Sequence, residues 1–187
     1  MIQYSTYFKG KSLKKIILSF LVFLTLTKSA LASDTIEKTG DALLLLLPAL
    51  AFGTTFYHGD SEGRDQFYKA FASNALITYG LKYSIDKERP NKEDNHSFPS
   101  GHTSTTFQSA TFLHGRYGLK TALPAYIGAI FTGYSRVKSD KHFVIDVLAG
   151  ASIGALSSYF FTTSYKGCVL TPFANSDMFG LKISKRW

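Results

Sequence analysis

A single cysteine, Cys168, in 187 residues excludes any internal disulfide. That is compatible with export without arguing for it. No His-x-x-x-His, no Cys-x-x-Cys and no carboxylate cluster of metal-ligand spacing occurs, so neither a metal nor another cofactor is expected. Period-2 alternation is scarce, and internal repeats and low-complexity stretches are absent. Acidic residues are missing from the first 32 positions, where five of the 21 Lys and Arg lie and none of the 13 Asp and Glu. The net charge of +8 therefore shrinks to +3 for the remainder, from 16 basic and 13 acidic residues. A balance that small is no argument for a nucleic-acid partner.

The first segment, residues 1–32, reads as a secretory signal. Lys9, Lys11, Lys14 and Lys15 precede a 12-residue apolar stretch, Ile16 to Thr27, and Ala30-Leu31-Ala32 supplies a small-x-small cleavage pattern. The stretch is short for a membrane span, which needs about 20 apolar residues. A retained N-terminal anchor is the alternative. Residues 33–165 then form one helical domain and 166–187 a tail, within the size of a single core.

In that domain the pattern is helical with Gly and Pro punctuation. The expected helices are 42–57, kinked at Pro48, then 65 to about 87, 100–117, 120–136 and 142–163, an all-α compact bundle of about five helices. The tail after Tyr165 reads as irregular or short extended structure. Three stretches, 42–57, 119–134 and 143–163, are apolar enough to cross a bilayer, yet mean hydropathy is only +0.01. Apolar faces turned into a bundle core account for much of the same pattern. A bundle embedded in or resting on a membrane is the first expectation, and a soluble periplasmic domain the second.

Three clusters concentrate the chemistry: Lys82-x6-Arg89-Pro90, Pro99-Ser100-Gly101-His102 and Ser135-Arg136-x5-His142-x3-Asp146. The last two fix four residues each, and each arises by chance in on the order of one chain in a thousand. His142 begins a predicted helix and Asp146 follows four residues on. A carboxylate on the same face can hold Nδ1 and leave the Nε2 lone pair for attack. Alone, such a pair reads as an ordinary helix-surface contact; the nearby Ser135-Arg136 favours chemistry. Ser100 and Gly101 form a turn at a helix start, where free N–H groups favour an anion, and His102 projects from the first turn as a proton donor. A helix cap with an incidental histidine is the plain alternative for that cluster. Lys82, Arg89 and Arg136 supply positive charge for phosphoryl oxygens. Lys82 and Arg89 share a face if their helix persists that far. Lys87, Glu88 and Lys92 are expected on a solvated face. His58 and His96 are expected in exposed loops and His114 on a polar helix face, with a substrate contact open for His96.

At these residues the chain resembles the type 2 phosphatidic acid phosphatase superfamily, which includes class A acid phosphatases and vanadium haloperoxidases. All three family motifs are present without a substitution at a defining position. The resemblance implies a metal-independent phosphatase in which His142 attacks phosphorus to form a phosphohistidine. His102 protonates the leaving oxygen and then activates water, Asp146 orients His142, and Lys82, Arg89, Ser100, Gly101 and Arg136 hold the phosphoryl group. It further implies a lipid phosphate or diphosphate as substrate: phosphatidate, phosphatidylglycerophosphate, undecaprenyl diphosphate or a lipid A phosphate. The expected place is a bacterial inner membrane with the site facing the periplasm. A soluble broad-specificity acid phosphatase is the second reading, though Asn91-Lys92-Glu93 after Arg-Pro departs from that subgroup. A vanadate-dependent haloperoxidase or a catalytically silent membrane protein are lesser alternatives.

Overall fold

The computed structural model describes residues 33–165, 168–174 and 179–185, with side chains over 35–165. The secretory-signal reading lies outside the described residues. Five helices follow in order: α1 Ser33–Tyr57, α2 Ser61–Ser84, α3 Gly101–Tyr117, α4 Leu119–Lys138 and α5 Val144–Phe161. Two strands, β1 Cys168–Ala174 and β2 Phe179–Lys185, pair antiparallel from Cys168↔Lys185 to Ala174↔Phe179. The expected all-α bundle of five helices is the fold, and the extended reading of the tail corresponds to this hairpin.

Local chemistry sets the boundaries. Asp60 caps α2 by accepting the Gly63 N–H at 2.9 Å, which starts that helix four residues before the expected Asp65. Gly118, at φ 89°, ends α3 and leads into α4, a backbone conformation that only glycine adopts without strain. α1 begins nine residues before the expected Ala42 and stays helical through Pro48. α2 stops at Ser84, so Arg89 is not on it and the two-turn spacing from Lys82 has no meaning. At Ile85 the chain turns extended.

α3 is the central helix, packed against all four others. Its buried face is small and polar, with Thr103, Ser104, Thr106, Gln108 and Ser109 at 0% exposure. α5 meets it through Gly150 and Gly154, the small-x-x-x-small spacing that lets two helix backbones touch. The large apolar side chains face the other way: Leu123, Ile127 and Ile130 on α4 and Leu148, Leu156 and Phe160 on α5 are more than half exposed. This goes against the core-face alternative and with the first expectation of a bundle in or on a membrane. Small and polar residues inside with large apolar residues outside is the arrangement of a bundle solvated by lipid. Thr35–Tyr57 and Val144–Phe161 are long and apolar enough to cross a membrane, with 28% of an 18-residue apolar stretch of each buried; α4 does not reach that mark. A small apolar core of Leu43, Leu47, Phe67, Phe112 and Ala125 sits among α1 to α4.

Candidate active site

The loop between α2 and α3 and the turn between α4 and α5 are laced together by backbone bonds. Asn91 N–H donates to the Asp140 carbonyl at 3.0 Å, and Ser100 N–H to the Asp146 carbonyl at 2.9 Å. Arg89 adds a side-chain bond to the Lys141 carbonyl at 3.3 Å. The first and third clusters meet here, and the second opens α3 beside them.

His142 is 3% exposed. Its Nδ1 lies 2.7 Å from the Ser97 carbonyl oxygen, which can only accept, so Nδ1 carries the proton and Nε2 presents its lone pair. The expectation that Asp146 holds this nitrogen is corrected by the geometry. His142 lies before α5, with Phe143 at the N-cap, so the four-residue spacing does not set both side chains on one helical face. Asp146 turns back instead. One oxygen accepts the Phe143 N–H at 3.0 Å and the Ser97 hydroxyl at 2.6 Å, and the other takes the Lys87 ammonium at 2.5 Å. Asp146 thus fixes Ser97, and Ser97 fixes His142. Burial, then the charges of Arg89 and Lys82, depress the His142 pKa to about 3, so the ring is neutral at physiological pH.

His102, in the first turn of α3, places Nε2 2.9 Å from Asp41 of α1. Burial and the neighbouring Arg136 hold its pKa below the ordinary histidine value, against the pull of Asp41; Arg89 lowers it further. Arg89 therefore acts on both imidazoles, which places its charge among all three clusters. Its Nε donates to Asp94 at 2.7 Å. Lys82 donates to the His96 carbonyl at 2.7 Å, and burial followed by repulsion from Arg89 lowers its pKa to about 8. Arg136, 3% exposed, donates to Asp41 at 2.8 Å and to the Glu37 carbonyl at 2.7 Å. Ser100 is fully buried with its hydroxyl 3.0 Å from that of Thr103. At Gly101 an added Cβ would meet only Thr78, at 4.0 Å, so the protein itself does not crowd it.

Sequence reasoning missed three participants. Ser97 acts through its backbone carbonyl, which no residue pattern announces. Lys87, expected on a solvated face, is instead the counter-charge of buried Asp146. Asp41 lies 61 residues before His102; its one signal was a carboxylate at the edge of a long apolar run. Two histidines outside the motifs also find partners. His58 is half-buried and stacks on Tyr117 at 4.8 Å, rather than lying in an exposed loop, and His114 is 3.2 Å from the Tyr126 hydroxyl. Beside Gly101 a groove of about 300 Å³ opens between α1, α2 and α3, walled by Leu44, Pro48 and Phe71 with Asn74, Thr78 and Ser104 along its lining.

The class so defined is a helical bundle faced outward by apolar side chains, with two buried or half-buried imidazoles among arginines and lysines. The model of the PAP2 superfamily matches residues 66–169, more than half of the chain, and the chain belongs to that superfamily. It is 42% identical over 121 residues to a lipid A 1-phosphatase of Porphyromonas gingivalis, across 61% of this chain and 27% of that protein. The chain thus spans about a quarter of that relative's length. It is 28% identical over 198 residues to a lipid A 4'-phosphatase of Helicobacter pylori, across 95% of this chain and 100% of that protein. The crystal structure of Aquifex aeolicus LpxE shares the fold at a TM-score of 0.50 and 22% identity, covering 71% of this chain and 95% of that one.

Proposed function

We propose that the chain is a metal-independent phosphatase that hydrolyses a membrane lipid phosphate through a phosphohistidine on His142. The observation that carries this is the Ser97–His142 bond. It commits Nδ1 as donor and leaves a neutral ring with its Nε2 lone pair free for phosphorus. In the first step Nε2 forms a bond to phosphorus as the bond to the leaving oxygen breaks, and His102 gives that oxygen a proton. In the second, His102 takes a proton from water, whose oxygen displaces the imidazole. Lys82, Arg89, Ser100, Gly101 and Arg136 surround the phosphoryl oxygens, with charge matched to the developing anion. Asp146 acts through Ser97, and Lys87 keeps Asp146 paired.

A lipid-borne phosphate is favoured by the outward apolar surface and by the groove beside Gly101, whose Leu44, Pro48 and Phe71 suit an acyl chain. Lipid A phosphates come first among the substrates, because two relatives bear that specificity in their names and one is matched over its full length. Phosphatidate, phosphatidylglycerophosphate and undecaprenyl diphosphate follow. The place is the bacterial inner membrane, with the site on the periplasmic side.

The test is phosphate release in EDTA by the wild type and His142→Ala. The panel holds p-nitrophenyl phosphate, phosphatidate, undecaprenyl diphosphate and a lipid A preparation, each in detergent micelles. Release from lipids that is lost in the variant is the expected result. Equal turnover of the small ester would move the reading to a broad soluble-type phosphatase, and unchanged release by His142→Ala would remove the phosphohistidine.

A further inference from the structure

α1 lies wholly outside the stretch of chain that matches the superfamily, yet it closes onto two basic groups of the candidate site. Gly40 makes the approach possible. A Cβ there would stand 2.9 Å from Arg136 Nη2 and overlap the Ser135 hydroxyl. The next residue, Asp41, uses one carboxylate oxygen to reach both His102 Nε2, at 2.9 Å, and Arg136 Nη1, at 2.8 Å.

We propose that Asp41 is a positioning residue for His102, fixing the imidazole and balancing the charge that the ring carries while it is a proton donor. The proposal rests on the phosphatase reading above and deepens it. Anchoring α1 does not require Asp41, because Arg136 already donates Nη2 to the Glu37 carbonyl of that helix. What does require a carboxylate is the field around His102. Arg136 from α4 and Arg89 from the α2–α3 loop both oppose a positive ring, as does burial. The Glu37 carboxylate of α1 is turned to Lys141 at 3.5 Å, while Lys82 and Asp146 act on His142. Asp94 is bonded to Arg89 at 2.7 Å, and Asp41 is the carboxylate that touches His102 and favours its charged form.

With Nε2–H held by Asp41, the exchanged proton is the one on Nδ1. When the bond from phosphorus to the leaving oxygen breaks, its electron pair stays on that oxygen, which takes the Nδ1 proton and leaves a neutral ring. In the second step Nδ1 takes a proton from water as the water oxygen bonds to phosphorus. The pair of the breaking P–N bond returns to His142, and His102 ends protonated, as it began.

The experiment uses the full chain in detergent micelles with two readouts. The first is kcat and KM against pH for the wild type, Asp41→Asn and Asp41→Glu, with phosphatidate as probe. The second is the His102 pKa, followed by NMR in histidine-labelled protein and assigned with His102→Gln. Asp41→Asn is expected to lower kcat by about 10- to 100-fold, part of the range that acid–base help supplies, with KM changed by less than about twofold. The basic limb and the His102 pKa should move to lower pH by about one unit or more, and Asp41→Glu should recover part of both. An unmoved pKa and pH limb in Asp41→Asn would overturn the proposal and leave Asp41 as an anchor for Arg136. A fall in KM without a fall in kcat would overturn it too, marking Asp41 as a competitor of the phosphate. Asp41→Ser is read the same way should Asp41→Asn not purify. The NMR readout needs no turnover. A wild type inactive on every lipid of the panel would therefore sink the phosphatase reading while the Asp41–His102 pair was still decided.

Discussion

Gly150→Ala adds one methyl group where α5 lies on the turn that opens α3. Its Cβ would stand 2.4 Å from the Ser100 carbonyl oxygen and 3.3 Å from the Ser104 nitrogen. Carbon–oxygen contacts begin near ~3.3 Å, so the two elements must part by about 0.9 Å. Both obstacles are backbone atoms, and no side chain can swing aside. Overpacking of this kind costs about 1–3 kcal/mol. The displaced turn carries the Ser100 N–H bond to the Asp146 carbonyl and leads directly into Gly101 and His102. A misplacement of about 1 Å at a reacting site can cost 10²-fold in rate, so kcat/KM should fall by about 30- to 100-fold. Gly154→Ala is the control: its Cβ would overlap the Ser104 carbonyl oxygen at 2.0 Å, one turn farther from Ser100. It should cost at least as much stability but less than about tenfold in kcat/KM, since its strain falls beyond the phosphate turn. Thermal unfolding in micelles and phosphate release from the best lipid of the panel read both variants. Wild-type activity and melting in Gly150→Ala would refute the reasoning, as would a Gly154→Ala more damaged in kcat/KM than Gly150→Ala.

Three further outcomes follow from the described geometry. Arg116→Leu leaves Asp60 buried without its two-pronged partner, whose bonds are 2.6 and 2.7 Å with both side chains at most 3% exposed. It should cost about 3–5 kcal/mol in a denaturation experiment, while KM stays unchanged in any folded fraction because the pair closes the end of α3 away from His102. Lys87→Met leaves Asp146 unpaired, and because Lys87 is 30% exposed the loss should be smaller, about 1–3 kcal/mol. It should also lower kcat more than it raises KM, and unchanged kcat would show that Asp146 needs no counter-charge. His142 titrates near 3 when folded and near ~6.5 when unfolded. Between those values the unfolded chain holds the extra proton, so stability rises with pH across that window and is lost as pH falls from about 6.5 toward 3. His142→Asn should flatten that slope in melting temperatures measured from pH 4 to 7; an equal slope in both proteins would assign the loss to other groups.

The helices and motif residues were legible because both depend on local chemistry. Ser100-Gly101 and Gly118 mark the ends of α3 whatever surrounds them, and the helix spacing of the apolar residues sets the number of elements. The direction of those apolar faces was not legible. Ile127 and Leu148 have the same periodicity whether they meet a core or a lipid, and only the inward packing of their helices' glycines, Gly128 of α4 on Leu47 and Gly150 of α5 on the Ser100 turn, set them outward. Likewise the chain order alone determined that two histidines, three motif cations and Asp146 occur in the three clusters. Which of them touch was decided by the tertiary structure. A helix that starts at Val144 instead of His142 moves the imidazole from Asp146 to the Ser97 carbonyl, and a backbone acceptor has no sequence signature. Lys87 and Asp41 reach the site from 59 and 61 residues away in the chain. Their roles come from through-space electrostatics, where a buried carboxylate or imidazole takes whichever opposite charge the fold brings near, and spacing along the chain carries no record of that choice.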